Sequence, residues 1–95
     1  SEEVSALSAR AHCTQQLAAH VLEAIAVCRS KVQTGDIVDA PSIRSAIAFI
    51  RALMVISPKD AWASAVVARQ PSESHAALWS VFESQINPET IQQNL

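Results

Sequence analysis

The sequence predicts an all-α fold, a compact bundle of four helices followed by a short C-terminal helix or tail. Three observations carry that expectation. Apolar residues recur at spacings of three and four, the period of a helix, and nowhere alternate strictly as a half-buried strand would. The four prolines fall between the periodic segments and never inside them. Hydrophobic residues make up 49% and charged residues 17% of the 95 positions, enough apolar surface for a core and too little charge for a disordered chain. That length makes one domain, 1–95, and not two.

The first segment, Glu2 to Val32, reads as one long helix. Leu7, Ala11, Thr14, Ala18, Val21, Ile25, Cys28 and Val32 form an unbroken stripe with no proline or glycine inside it. Ser1 suits the cap, Glu2 and Glu3 suit the positive end of the dipole, and Arg29 and Lys31 suit the other end. Gly35 stands where a left-handed stop residue belongs. Thr34 to Ala40 is a polar turn with two aspartates that Ile37 and Val38 would anchor, with room for a strand pair no more than vestigial. Pro41 is expected to open the second helix from its first turn, with Ile43, Ala46, Ile47, Ile50, Leu53 and Met54 buried and an end near Ile56.

Ser57-Pro58-Lys59-Asp60 is a helix start, with a cap serine, a first-turn proline and an acidic third position. The third helix would run to about Ala68 with Trp62, Ala65 and Val66 inward. Gln70-Pro71-Ser72-Glu73 restarts the chain into a fourth helix burying Leu78, Trp79, Phe82 and Ile86. Asn87-Pro88-Glu89-Thr90 opens the short final helix or tail.

Several function classes fall away on composition. A net charge of −2 argues against a nucleic-acid surface built on bulk basic charge. No apolar stretch approaches a membrane span, Ala46 to Ile50 being among the longest, and no signal peptide opens the chain. A single glycine leaves no room for a glycine-rich phosphate loop. Cys13 and Cys28, if both on one helix, lie about 22 Å apart and cannot bond to each other. Two reduced thiols favour a reducing compartment, so a cytoplasmic setting is expected.

No metal site is predicted. His12 and His20 would sit two helical turns apart, about 12 Å, too far to share one ion. His75 has no partner pattern, and no serine or cysteine has the setting of a nucleophile. Trp62 and Trp79 fall on the apolar faces of consecutive helices, where packing is the plain role and partner contact the other.

Arg44 breaks a local rule. It lies in the first turn of the second helix, where a cation meets the positive end of the dipole. The same place gathers anions on free backbone N–H groups, so an arginine there makes a phosphate-facing point. A pair with Asp36 or Asp39 just upstream would neutralise the misfit instead.

The run Pro41-Ser42-Ile43-Arg44-Ser45-Ala46-Ile47-Ala48-Phe49-Ile50-Arg51-Ala52-Leu53 resembles the second-sensor helix of the MoxR group of AAA+ ATPases. There a Ser-Thr-Arg or Ser-Pro-Arg triplet opens a helix of the C-terminal lid and an alanine-rich apolar stretch follows. A long preceding helix and a charged, glycine-containing turn also match. Ser57-Pro58-Lys59-Asp60-Ala61-Trp62 is similar to the start of the next lid helix, notably in the branch that remodels rubisco or nitric oxide reductase. The resemblance runs from the first helix to about Ile86. It implies that Arg44 contacts the γ-phosphate of ATP and that Ser42 caps its helix. Ile43 departs from the usual threonine or proline.

The chain has no Gly-x-x-x-x-Gly-Lys-Ser/Thr, no acidic Mg²⁺ motif and no identifiable arginine finger. It is therefore expected to be no ATPase by itself but a lid excised from a larger chain; Ser1 in place of methionine fits that, and fits methionine removal from a native start equally. ATP and Mg²⁺ would belong to the parent protein. The lid's partners would be the nucleotide-binding domain of the same chain and neighbouring ring subunits, with neither nucleic acid nor membrane. The alternative is a free-standing helical interaction module, holding a partner helix on an apolar groove near Trp62 and Trp79.

Overall fold

A computed structural model describes residues 1–95 as six α-helices and two single turns of 3-10 helix, with no strand. The helices are α1 (Glu2–Ala11), α2 (Gln15–Gln33), α3 (Ile43–Ala52), α4 (Pro58–Ala65), α5 (His75–Gln85) and α6 (Pro88–Gln93). The 3-10 turns, Val67–Arg69 and Ser72–Ser74, connect α4 to α5. The radius of gyration is 12.2 Å, against ~12.4 Å for a globular domain of this length. The helices therefore form one folded unit and not a string of hairpins.

The expected long first helix is two helices. Its stripe is broken at His12, whose φ of 56° and ψ of 50° are left-handed, a conformation histidine enters more readily than most side chains. Thr14 then caps α2, its Oγ1 accepting the Leu17 N–H at 3.0 Å. The chain folds back and α1 packs against α2 and also against α3. Cys13 and Cys28 thus do not share a helix, and neither do His12 and His20. Both thiols are free.

The remaining punctuation follows side-chain caps. Ser1, Ser42, Ser57 and Asn87 each accept a first-turn N–H, satisfying donors that a helix start leaves without partners. Gly35 takes a φ of 85° just after α2, as a left-handed stop requires. Pro41 does not open α3: it is buried one position before the cap, and the helix begins at Ile43. α3 also ends earlier than expected, at Ala52, because the chain turns over Leu53–Ile56 to reach the Ser57 cap.

Alanine supplies six of the 22 residues in the apolar core, and with so little side chain between them the helices approach closely. Bulk comes from one aromatic row. Phe49 meets Trp62 edge-on at 5.3 Å between ring centres, Trp62 lies 5.8 Å from Phe82, and Phe82 meets Trp79 edge-on at 5.6 Å. Such pairs contribute about 0.5–1.5 kcal/mol each beyond the area they bury. Trp62 is wholly enclosed, its indole N–H donating to the Leu78 carbonyl at 3.1 Å.

Some positions expected inside are not. Val38, Ile43 and Met54 are exposed, and Trp79 and Phe82 are half-buried. On α3 the inward side is Ala46, Phe49, Ile50 and Leu53, rotated so that Phe49 reaches Trp62 and Ile43 is left at the rim. Val38 faces solvent while its N–H donates to the buried Ser74 hydroxyl at 3.0 Å, which ties the 34–40 turn to the start of α5. Trp62 is enclosed, while Trp79 keeps part of its ring at the surface. No helix is long and apolar enough to cross a membrane.

Candidate anion site

The site begins with the cap of α3. Ser42 Oγ accepts the Ser45 N–H at 3.2 Å, which fixes the first turn and places Arg44 at its second helical position. Arg44 is exposed and takes no carboxylate partner. The chain's one ion pair joins Arg29 to Glu3 at 3.6 Å, both exposed. Asp36 instead accepts the Thr34 hydroxyl at 2.8 Å. Neither aspartate considered as a neutralising partner for Arg44 forms that pair.

Two further arginines share its surroundings. Arg51 follows seven residues later, two turns or about 10.5 Å along the same face of α3. One of its Nη groups donates to the Arg10 carbonyl at 3.3 Å, at the C-terminal end of α1 where helix carbonyls lack partners and a cation is favourable. Arg69 arrives from the 3-10 turn after α4. Arg44, Arg51 and Arg69 surround an open depression of about 460 Å³, with Ile47 and Ala48 as its floor and no acidic side chain in its lining.

Three of the chain's seven cations thus stand around one hollow. Like charges held together repel, and an anion or added salt relieves them. Planar guanidinium groups present paired donors that match phosphate or carboxylate oxygens. Ser42 lies at the cap and does not line the hollow; its oxygen is engaged by its own helix. Arg44 was legible from its conflict with the helix dipole. Arg51 and Arg69 were missed, because only the packing of α4 against α3, with the 3-10 turn that follows α4, brings them around one hollow.

The other candidate side chains hold structural contacts. His20 Nε2 accepts the Asn87 N–H at 3.0 Å, and His75 Nε2 bonds the Gln70 carbonyl at 2.8 Å. No three His, Cys, Asp or Glu side chains converge. Burial pushes the Cys28 thiol up to about 11 and raises that of Cys13, so both are poorer nucleophiles than an ordinary cysteine. A smaller hollow of about 280 Å³ between α1 and α2 is floored by Val4, Ala19, Leu22 and Ala26. Comparison with protein families, with curated proteins and with solved structures finds no match for this chain.

Proposed function

We propose that this domain is the C-terminal lid of a MoxR-type AAA+ ATPase, with Arg44 as its second-sensor arginine. The observation that supports the reading is Arg44 itself: exposed, unpaired, set against the dipole at the start of α3, and facing a hollow without carboxylates. A cation kept there without a partner in its own domain is suited to an anion brought from outside it. In the parent protein a large domain binds ATP and Mg²⁺, and Arg44 meets the terminal phosphate. The lid then links nucleotide state to movement between ring subunits during chaperone-like remodelling. The free thiols suit a cytoplasmic setting.

The test pairs two measurements on one substitution. Arg44→Ala should leave this domain as stable as before, because Arg44 makes no ion pair within it. In the parent ATPase it should lower turnover by at least tenfold, since an arginine on a transferring phosphoryl group supplies several kcal/mol of transition-state stabilisation. A destabilised domain with normal turnover would make Arg44 scaffolding and end the assignment. The domain alone, supplying one wall of a site, should hydrolyse no ATP.

The second reading is a helical interaction module, and one observation favours it. The turn Met54-Val55-Ile56 between α3 and α4 is apolar and exposed, Val55 at 82%. An exposed apolar patch is a common mark of a binding surface. Normal turnover in the Arg44→Ala parent, with loss of a partner in Val55→Asp, would favour this reading over the first.

A further inference from the structure

We infer that Arg51 and Arg69 belong to the phosphate-binding surface with Arg44, so that the depression on α3 grips a chain of linked phosphates and not a single terminal group. This rests on the phosphate-facing reading of Arg44 and extends it to two residues that no sequence pattern singles out. Three features of the hollow carry it.

The first is charge. Three guanidinium groups surround the depression and no carboxylate offsets them. Neutralising all three calls for a ligand with several negative charges in a short span, which a triphosphate tail has and a lone carboxylate lacks. The second is reach. Arg44 and Arg51 leave the helix about 10.5 Å apart along its axis, a spacing that lets each meet its own group of a phosphate chain laid across the floor. The third is restraint. Arg51 gives one donor to the Arg10 carbonyl and keeps the rest of its fork available, so its guanidinium is held at the rim before any ligand arrives. A pre-placed donor loses less freedom on binding than a loose one.

The floor adds a selection. Ile47 and Ala48 offer no hydrogen-bond partner in their side chains, so the ligand is held from the rim. A depression of about 460 Å³ is of small-molecule size. Arg44 then reads one end of the phosphate chain, and Arg51 with Arg69 holds the remainder in line.

The probe is inorganic tripolyphosphate, added to this chain at low ionic strength and followed by the backbone amide signals in NMR. Saturable shifts should centre on residues 43–52 and 67–70, with an affinity at least about tenfold above that for orthophosphate. Arg51→Gln and Arg69→Gln should each weaken tripolyphosphate by several-fold, and Arg29→Gln and Lys59→Gln should not. Because Arg51 also touches α1, the Arg69 variant and unchanged melting temperatures guard against a folding artefact. ATP and a short single-stranded oligonucleotide, run beside tripolyphosphate, distinguish a nucleotide tail from a nucleic-acid backbone as the natural source.

Shifts spread over the whole surface, equal losses in the control variants, or tighter binding of an oligoglutamate peptide would overturn the inference. If tripolyphosphate requires Arg51 and Arg69 while Arg44→Ala leaves parent turnover unchanged, the lid assignment falls and the phosphate site stands. If turnover collapses in Arg44→Ala but tripolyphosphate ignores Arg51 and Arg69, the lid assignment stands and this inference falls.

Discussion

The two faces of α3 differ in both packing and charge. On the inner face Ala46, Phe49, Ile50 and Leu53 are each no more than 4% exposed, and Phe49 is locked edge-on against Trp62. On the outer face Arg44, Ile47, Ala48 and Arg51 line an open hollow that no carboxylate closes. One ten-residue helix and its C-cap Leu53 supply both. Close packing accounts for each inner residue, whereas nothing in the fold requires an arginine at position 44. Arg44 works against its own helix dipole and takes no ion pair within the domain.

That contrast can be broken from either side. The largest effect should come from the inner face: Phe49→Ala, which opens the aromatic row, should destabilise by about 3–5 kcal/mol in urea unfolding. A loss below about 1 kcal/mol would mean the inner face is not close-packed. Next is Cys28, whose thiol burial raises to about 11 from an ordinary value of 9.0. Between those values the unfolded chain ionises while the folded chain keeps its proton, so stability falls as pH rises. The contribution is fully present below pH 9 and lost by about pH 11, a change of roughly 2–3 kcal/mol. Cys28→Ala should flatten that slope; an unchanged slope would place its cause elsewhere.

Ser42→Ala should cost about 1 kcal/mol through loss of the α3 cap, read as a lower thermal midpoint. The smallest effect belongs to the outer face. Arg44→Ala should alter the stability of this domain by no more than about 0.5 kcal/mol, with any change a gain from relief against the dipole. A clear loss in the same melting experiment would erase the difference between the two faces.

Most helix starts were legible because their cause is local. Ser57 and Asn87 announce α4 and α6 by cap chemistry and a following proline, and both do cap. The break between α1 and α2 was not. Leu7, Ala11, Thr14 and Ala18 keep helical spacing across it, so the periodicity continues through a point where the chain reverses. Neither glycine nor proline marks the turn; a left-handed histidine and a threonine cap do its work. The inward face of α3 was misread by a partial rotation, since only contact with Trp62 decides which of Phe49 and Ile43 turns in. At the site, the dipole conflict of Arg44 is written in sequence. The gathering of Arg51 and Arg69 around it is a product of packing between distant segments.

The corner between α1 and α2 has a consequence for how the chain is made. The Thr14 hydroxyl donates to Asn94 Oδ1 at 2.7 Å, His20 accepts the Asn87 N–H, and Ile91 is almost wholly buried. The partners of this early corner thus lie 80 and 67 residues further along the chain. While residues 87–94 are still inside the ribosome the corner lacks its clasp, and the first hairpin waits with an uncovered apolar edge. Completion of the fold therefore waits on α6, and until that helix arrives a nascent helical domain is most open to association with other chains.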